Sequence, residues 1–285
     1  MKGIILAAGK GTRLYPITRP ICKPLLPLYD KPLLYYPLSV LMQAGIREIL
    51  IIVPPDDQAP FEKLLGDGSA LGLSLQYREQ KVQRGIADAF LVGEDFVAGQ
   101  PVCLVLGDNV FHGPSLPAQL ARARANTVGA TVFGLPVEDP RPFGVVEFDQ
   151  NGRAVSIEEK PQHPKSNFIV PGLYFYDGQA VELARRLTPS ARGELEITAL
   201  NNLYLEQGQL SVVPLDQQVV WFDAGNADSL LDSARAIRDI QRQTGRLVAC
   251  PEQIAFEQGW ITRESLRQTG EALRMTRYGD YLLSL

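Results

Sequence analysis

Several short stretches of the chain carry side chains suited to chemistry on phosphates. The first is Leu6-Ala7-Ala8-Gly9-Lys10-Gly11-Thr12-Arg13-Leu14. Two glycines among small residues let backbone N–H groups approach anionic oxygens, and Lys10 and Arg13 add neutralising charge. No Gly-Lys-Ser/Thr follows, so this is not a Walker A loop. Leu14 stands where a dinucleotide fingerprint needs its third glycine. A tight strand-to-helix turn explains the glycines equally well. Lys23, followed by Pro24 and Pro27, reads as a surface lysine unless the prolines hold its charge in place for a ligand. Asp108, in Leu106-Gly107-Asp108-Asn109, and Asp223, in Trp221-Phe222-Asp223-Ala224-Gly225, each close an apolar run. Either could be a turn-capping aspartate. As a pair they could share Mg²⁺, which takes one or two carboxylates and fills its shell with phosphate and water. In Ile157-Glu158-Glu159-Lys160-Pro161, alternation sets Glu158 and Lys160 on one face and Glu159 on the other. Such a charge run is usually a solvated face. Ala191-Arg192-Gly193-Glu194-Leu195-Glu196 reads as a polar loop before a helix.

These residues need a scaffold that brings them together. Gly3–Ala7, Ile49–Val53, Leu73–Tyr77, Val102–Leu106 and Ala130–Leu135 read as strands alternating with helical patterns, such as the face formed by Leu38, Leu41 and Met42 before Gly45. That alternation predicts an α/β, Rossmann-like, doubly wound sheet with ligands at the carboxyl ends of its strands. Val145–Phe148 and Ala154–Ile157 flank Asn151-Gly152, a hairpin signal. With Gly172–Tyr176 and Val219–Phe222 they suggest a mixed-sheet insertion. Asn226 should cap a helix whose apolar face is Leu230, Leu231, Ala234 and Ile237, with Gly245 past its end. The last forty or so residues read as helical. The organisation expected is a single domain, with an α/β core over 1–225 and a helical extension over 226–285.

Composition narrows the class. The chain has 285 residues, 45% hydrophobic and 21% charged, with a net charge of −4. Nothing in that balance favours nucleic acid as a partner. Cys22, Cys103 and Cys250 form no CxxC, and His112 and His163 are the only histidines, so a zinc cluster is not expected. Odd, scattered cysteines fit a reducing compartment. The apolar start is broken by Gly9, Lys10, Gly11 and Arg13, too early for a signal peptide. No segment reaches the roughly 18 apolar residues of a membrane span. A cytoplasmic location is expected.

Taken in order, the glycine loop through Arg13, Lys23, Gly107-Asp108-Asn109, Phe143-Gly144-Val145-Val146-Glu147, Glu158-Glu159-Lys160-Pro161 and Trp221-Phe222-Asp223 resemble the sugar nucleotidyltransferase family. Tyr29-Asp30-Lys31-Pro32, Leu65-Gly66-Asp67-Gly68-Ser69, Gly193-Glu194-Leu195-Glu196-Ile197-Thr198 and Cys250-Pro251-Glu252 extend the resemblance over Met1–Leu285. It implies a mixed sheet with the hairpin insertion on the sugar side and a helical C-terminal extension. It also implies transfer of a thymidylyl group from dTTP to glucose 1-phosphate with release of pyrophosphate. UTP as donor is the alternative within the family, and a non-catalytic sugar-nucleotide sensor the alternative outside it. A phosphate is already an anionic nucleophile, so positioning and charge neutralisation dominate and no catalytic His or Cys is required.

Residue by residue, the resemblance implies catalytic roles for Arg13, at the departing pyrophosphate, for Lys23, at the phosphates under attack, and for Lys160. Leu6, Ala8, Gly9, Gly11, Thr12, Arg13, Gln80, Gly85 and Asp108 would bind the nucleotide, with Gln80 and Gly85 facing the pyrimidine. Asp108 and Asp223 would hold Mg²⁺. Gly144, Glu159 and Val170 would bind the sugar, and Lys160 and Arg192 its phosphate. The resemblance further implies a homotetramer with end-product feedback. Ala8, Lys10, Pro24, Lys81, Asp88, Pro171 and Ala199 replace the family's usual Gly, Ser, Gln, Pro, Gln, Thr and Asp. These departures bear on base and sugar preference, not on reaction class.

Overall fold

The period-two alternation of side chains divides the interior into two layers. Ile5, Ile49, Ile51 and Val105 point into one core, with Leu38, Leu41, Phe133 and Phe175. Ile4, Leu50, Ile52 and Leu104 point into the other, with Phe90, Val132, Tyr176 and Leu200. Strands buried on both faces read as continuous apolar runs, and helices must cover each side. The computed structural model describes all residues, Met1–Leu285.

In chain order the strands are β1 (Lys2–Leu6), β2 (Pro27–Leu28), β3 (Lys31–Pro32), β4 (Glu48–Val53), β5 (Ser74–Glu79), β6 (Val102–Leu106), β7 (Asn109–His112), β8 (Ala130–Pro136), β9 (Gly144–Phe148), β10 (Ala154–Glu159), β11 (Phe168–Ile169), β12 (Leu173–Tyr176), β13 (Leu210–Pro214) and β14 (Val220–Asp223). The α-helices are α1 (Tyr35–Gln43), α2 (Gln58–Leu65), α3 (Asp88–Val92), α4 (Glu94–Val97), α5 (Leu116–Ala125), α6 (Ala180–Arg185), α7 (Ile197–Glu206), α8 (Ala227–Thr244), α9 (Pro251–Glu257), α10 (Arg263–Ala272) and α11 (Arg277–Ser284). A ten-stranded mixed sheet runs β10-β9-β11-β8-β12-β6-β1-β4-β5, with β13 alongside β8.

The sheet is parallel from β6 through β1 and β4 to β5, and reverses at β12, which pairs antiparallel with both β6 and β8. The expected hairpin forms as β9 and β10. It is the edge of this same sheet, not a separate one. The Val137–Phe143 link is too short for a parallel crossover, which takes about a dozen residues or more, so β9 cannot begin a new βαβ unit. Asp223 reaches the carboxyl end of β6 from outside the main sheet. Its strand, β14, pairs antiparallel with β7 in a two-stranded ribbon, setting Asp223 opposite Asn109.

Asn226 caps α8 in a reciprocal box with Ser229, and Gly245 ends the helix. Ile237 is buried against Leu28, Leu33, Tyr36 and Val110, with Leu230 and Ala234 packed beside it. Leu231, expected on this face, is 50% exposed. The buried stripe runs 230, 234, 237 at helical spacing, and Leu231 lies about 100° round from it. No helix is long and apolar enough to cross a membrane.

Candidate active site

A cavity of about 550 Å³ opens where the carboxyl end of β6 meets the β9–β10 hairpin and α7. Its lining includes Arg13, Asp108, Gly144, Glu159, Lys160, Val170 and Asp223. A smaller cavity of about 160 Å³, lined by Leu6, Gly9, Lys23, Gly107 and Asp108 among others, adjoins it. Leu106 and Asp108 are common to both.

Asp108 is held at both oxygens. Lys23, in a short 3₁₀ turn and only 6% exposed, donates from Nζ to Oδ2 at 2.5 Å. Asn109 donates from Nδ2 to Oδ1 at 3.0 Å. The orientation of Asn109 is fixed because its own Oδ1 accepts from Trp221 Nε1 (2.7 Å) and Gly172 N (3.1 Å). Lys23 is therefore a buried partner of Asp108, not a solvated surface lysine.

Asp223 has a different environment: its carboxylate accepts no hydrogen bond from the protein. Gly225 gives it room, since a Cβ there would lie 2.9 Å from Asp223 Oδ2. Burial and the facing Asp108 carboxylate push its pKa up to about 6, against the pull of Lys23 and Arg13. Between about pH 4, where an unfolded aspartate titrates, and pH 6, the native state binds the extra proton, so this contribution is largest at low pH and is lost as pH rises through 6. A shift of about two units corresponds to at most about 3 kcal/mol. Asp223→Asn should therefore stabilise the metal-free protein at pH 7 and leave it nearly unchanged at pH 4. Paired thermal melts in chelator across that range check this; a variant no more stable than wild type at pH 7 would show that Asp223 is not strained.

Glu159 and Lys160 line the same cavity, contrary to the alternation expected from the sequence. Lys160 has φ 47°, a left-handed conformation that ends β10 and breaks the period of two. Its N–H donates to Phe143 O at 2.9 Å, pinning the turn. Glu159 accepts from Thr198 Oγ1 at 2.5 Å and pairs with Arg192 at 3.3 Å and Lys160 at 3.7 Å. Arg192 also pairs with Glu194 and Glu196 and is not part of the cavity lining.

The glycine loop leaves β1 with Ala8 buried and Gly9 and Lys10 exposed. Gly11, Thr12 and Arg13 form the entry to a 3₁₀ turn. Gln80 and Gly85 are not in the main cavity. Gln80, 4% exposed, donates to Asp88 Oδ2 at 2.8 Å, and Arg84 approaches the other oxygen at 2.8 Å. These three line a separate cavity of about 730 Å³ with Arg78 and Lys81. Gly85 has φ +102°, and a Cβ there would sit 2.5 Å from Leu195 O, so only glycine fits the seam between this loop and the segment before α7.

Gln83, which sequence reasoning passed over, donates to Ala8 O at 2.6 Å and ties the Gln80–Gly85 loop to the glycine loop. The contact spans 75 residues, and no local signal announces it. Asn109, Thr198 and Trp221 lay inside motifs already noted, but without roles.

Glycine loop, strand-end carboxylates and lysines around one cleft describe an α/β enzyme acting on phosphorylated substrates. The chain belongs to the nucleotidyl transferase family, whose model matches residues 2–240. It is similar to the glucose-1-phosphate thymidylyltransferase of Neisseria gonorrhoeae, 55% identical over 100% of this chain and 99% of that one. The Mycobacterium tuberculosis protein of the same name is 51% identical over the same shares. Among solved structures, one from Bacillus anthracis with sucrose bound, described under that name, is 41% identical with a TM-score of 0.77, covering 84% of this chain and 96% of that one. A UDP-glucose pyrophosphorylase with UDP-glucose bound has a TM-score of 0.74 at 23% identity over 84% and 98% of the two chains, a likeness of fold alone.

Proposed function

We propose that this protein transfers the thymidylyl group of dTTP to glucose 1-phosphate, forming dTDP-glucose and releasing pyrophosphate. The observation that carries the reading is the join at Asp108 between a cleft lined by the glycine loop and Lys23 and a larger cavity lined by Glu159, Lys160 and Asp223. That layout suits two phosphorylated substrates meeting end to end. In this reading Leu6, Ala8, Gly9, Gly11 and Thr12 cradle the triphosphate, and Gln80 and Gly85 serve the base. Gly144, Glu159 and Val170 hold the sugar.

An oxygen of the sugar phosphate attacks the α-phosphorus in line. Lys160 orients the attacking phosphate, joined by Arg192 once it leaves its carboxylate partners. Lys23 neutralises charge at the phosphorus, and Arg13 does so on the departing pyrophosphate, where negative charge grows. The donor set fits Mg²⁺: two hard carboxylates, one of them without a hydrogen-bond donor and strained by the other. Held by Asp108 and Asp223, Mg²⁺ would neutralise the triphosphate and fix its α-phosphate. We further propose that residues 1–225 act as the catalytic core and 226–285 as its helical extension, in a cytoplasmic homotetramer under end-product feedback. Three buried free cysteines suit a reducing compartment.

Initial rates of pyrophosphate release test the reading. Thymine and uracil differ by a methyl group, and a pocket discriminates such a group by about 1–3 kcal/mol. The expected result is turnover of dTTP with glucose 1-phosphate and Mg²⁺, with UTP about ten- to a hundredfold poorer. Exclusive use of UTP, or of a purine triphosphate, would overturn the assignment.

A further inference from the structure

We infer that Asn201 is a specificity-determining residue for the sugar, donating through its side-chain amide to one hydroxyl oxygen of the hexose. The inference rests on the function proposed above and adds a residue to its sugar site. Helix α7 places Ile197, Thr198 and Asn201 on the wall of the main cavity. Asn201 is 1% exposed, yet it reaches that wall. Its Oδ1 accepts a hydrogen bond from Tyr176 Oη at 2.6 Å. The tyrosine hydroxyl is the donor in this pair, which turns the amide oxygen of Asn201 toward it.

Tyr176 cannot readily turn away. It is 1% exposed, its ring stacks against Tyr204 and Tyr174 at centroid distances of 5.4 and 6.3 Å, and Phe90 packs edge-on at 5.3 Å. The tyrosine therefore holds the carbonyl side of Asn201, and Nδ2 with its two N–H groups is left over. Nδ2 makes no hydrogen bond within the protein. Glu159, the carboxylate on the same wall, is already engaged by Thr198, Arg192 and Lys160.

Nδ2 opens onto the cavity, so a ligand that fills the cavity must either supply an acceptor there or leave the donor unpaired. The acceptor should be uncharged. Arg13 and Lys160 stand ready for phosphate in this cavity, whereas Asn201 offers only a neutral donor pair. A sugar hydroxyl meets that requirement. A site built to bond a hydroxyl rejects the deoxy analogue, because its own donor is then left unpaired.

The experiment measures kcat/KM for wild type and Asn201→Ala with dTTP, Mg²⁺ and five acceptors: glucose 1-phosphate and its 2-, 3-, 4- and 6-deoxy analogues. Wild type should lose about ten- to a hundredfold on the one analogue lacking the contacted hydroxyl. Asn201→Ala should lose a similar factor on glucose 1-phosphate and nothing further on that analogue. Because Asn201→Ala orphans the Tyr176 hydroxyl, Asn201→Ala is also made in a Tyr176→Phe background and compared with Tyr176→Phe alone. The double variant removes both partners of the Tyr176–Asn201 hydrogen bond, so no hydroxyl is orphaned in it. An equal loss on all five acceptors, or no loss on any, overturns the inference while leaving the reaction standing. A wild type that releases no pyrophosphate with any hexose 1-phosphate overturns the reaction and the inference together.

Discussion

Asp108→Asn and Asp223→Asn should each lower kcat/KM by a factor on the order of 10²–10³, and the double variant should lose little more than either alone. The two carboxylates come from distant parts of the chain and meet because the β7–β14 ribbon folds Asp223 back beside Asn109. Their charges are compensated unequally. Asp108 has Lys23 and Asn109, whereas Asp223 has no hydrogen-bond donor and a pKa raised toward 6. A divalent cation is the natural partner for that arrangement, and either asparagine would remove half of its protein charge. Shared dependence on one ion is what makes the losses non-additive. A double-mutant cycle at sub-saturating Mg²⁺ measures this, with Mn²⁺ binding followed by paramagnetic resonance and thermal melts as the folding control. Losses that simply multiply, or a single variant with normal turnover, would remove this pair as the metal site.

The legible part of this protein is the part encoded locally. Past Lys2 and Glu48 at the first positions of β1 and β4, these strands and β6 announce themselves as apolar runs, because burial on both faces leaves no polar position. Asn226 and Gly245 mark the ends of α8 by side-chain and backbone chemistry that acts within one turn. The aspartates at strand ends were visible for the same reason. What stayed hidden depends on chain reversal or on distance. Nothing near Lys23 says that it will be buried against Asp108, 85 residues away. Nothing near Gln83 points to Ala8. The period of two fails at Lys160 because a single left-handed residue turns the chain, and a lysine carries no signature of that conformation. Leu231 lies off the buried stripe for a simpler reason: a continuous apolar pair at 230 and 231 fits a helical face at either residue, and only packing chooses. The ordered motifs pointed to the reaction, while the contacts that tune it lie between segments that sequence order keeps apart.

Lys23→Ala should move two measurements in opposite directions. Turnover should fall on the order of 10²–10³-fold, as expected when a buried charge at the reacting phosphates is removed. Divalent-cation affinity of the nucleotide-free protein should rise, by about tenfold. The reason is geometric. The Lys23 ammonium sits 2.5 Å from Asp108 Oδ2, with its side chain 8% exposed, and so occupies an oxygen that a cation would need. A charge-assisted hydrogen bond of this kind contributes about 1.5–3 kcal/mol, and a competing ion must overcome it. In the wild type, the triphosphate gives Lys23 another anion to bond, which frees Asp108, so nucleotide should strengthen cation binding. Without the lysine that coupling should weaken to the part the phosphates supply by ligating the cation themselves, since Asp108 no longer has to be released. Mn²⁺ titrations with and without a non-hydrolysable dTTP analogue report both effects without relying on turnover. Lys23→Met, which keeps the apolar stem, separates loss of charge from loss of packing. Unchanged or weaker Mn²⁺ binding in both variants would mean that Lys23 supports Asp108 as a metal ligand instead of competing for it.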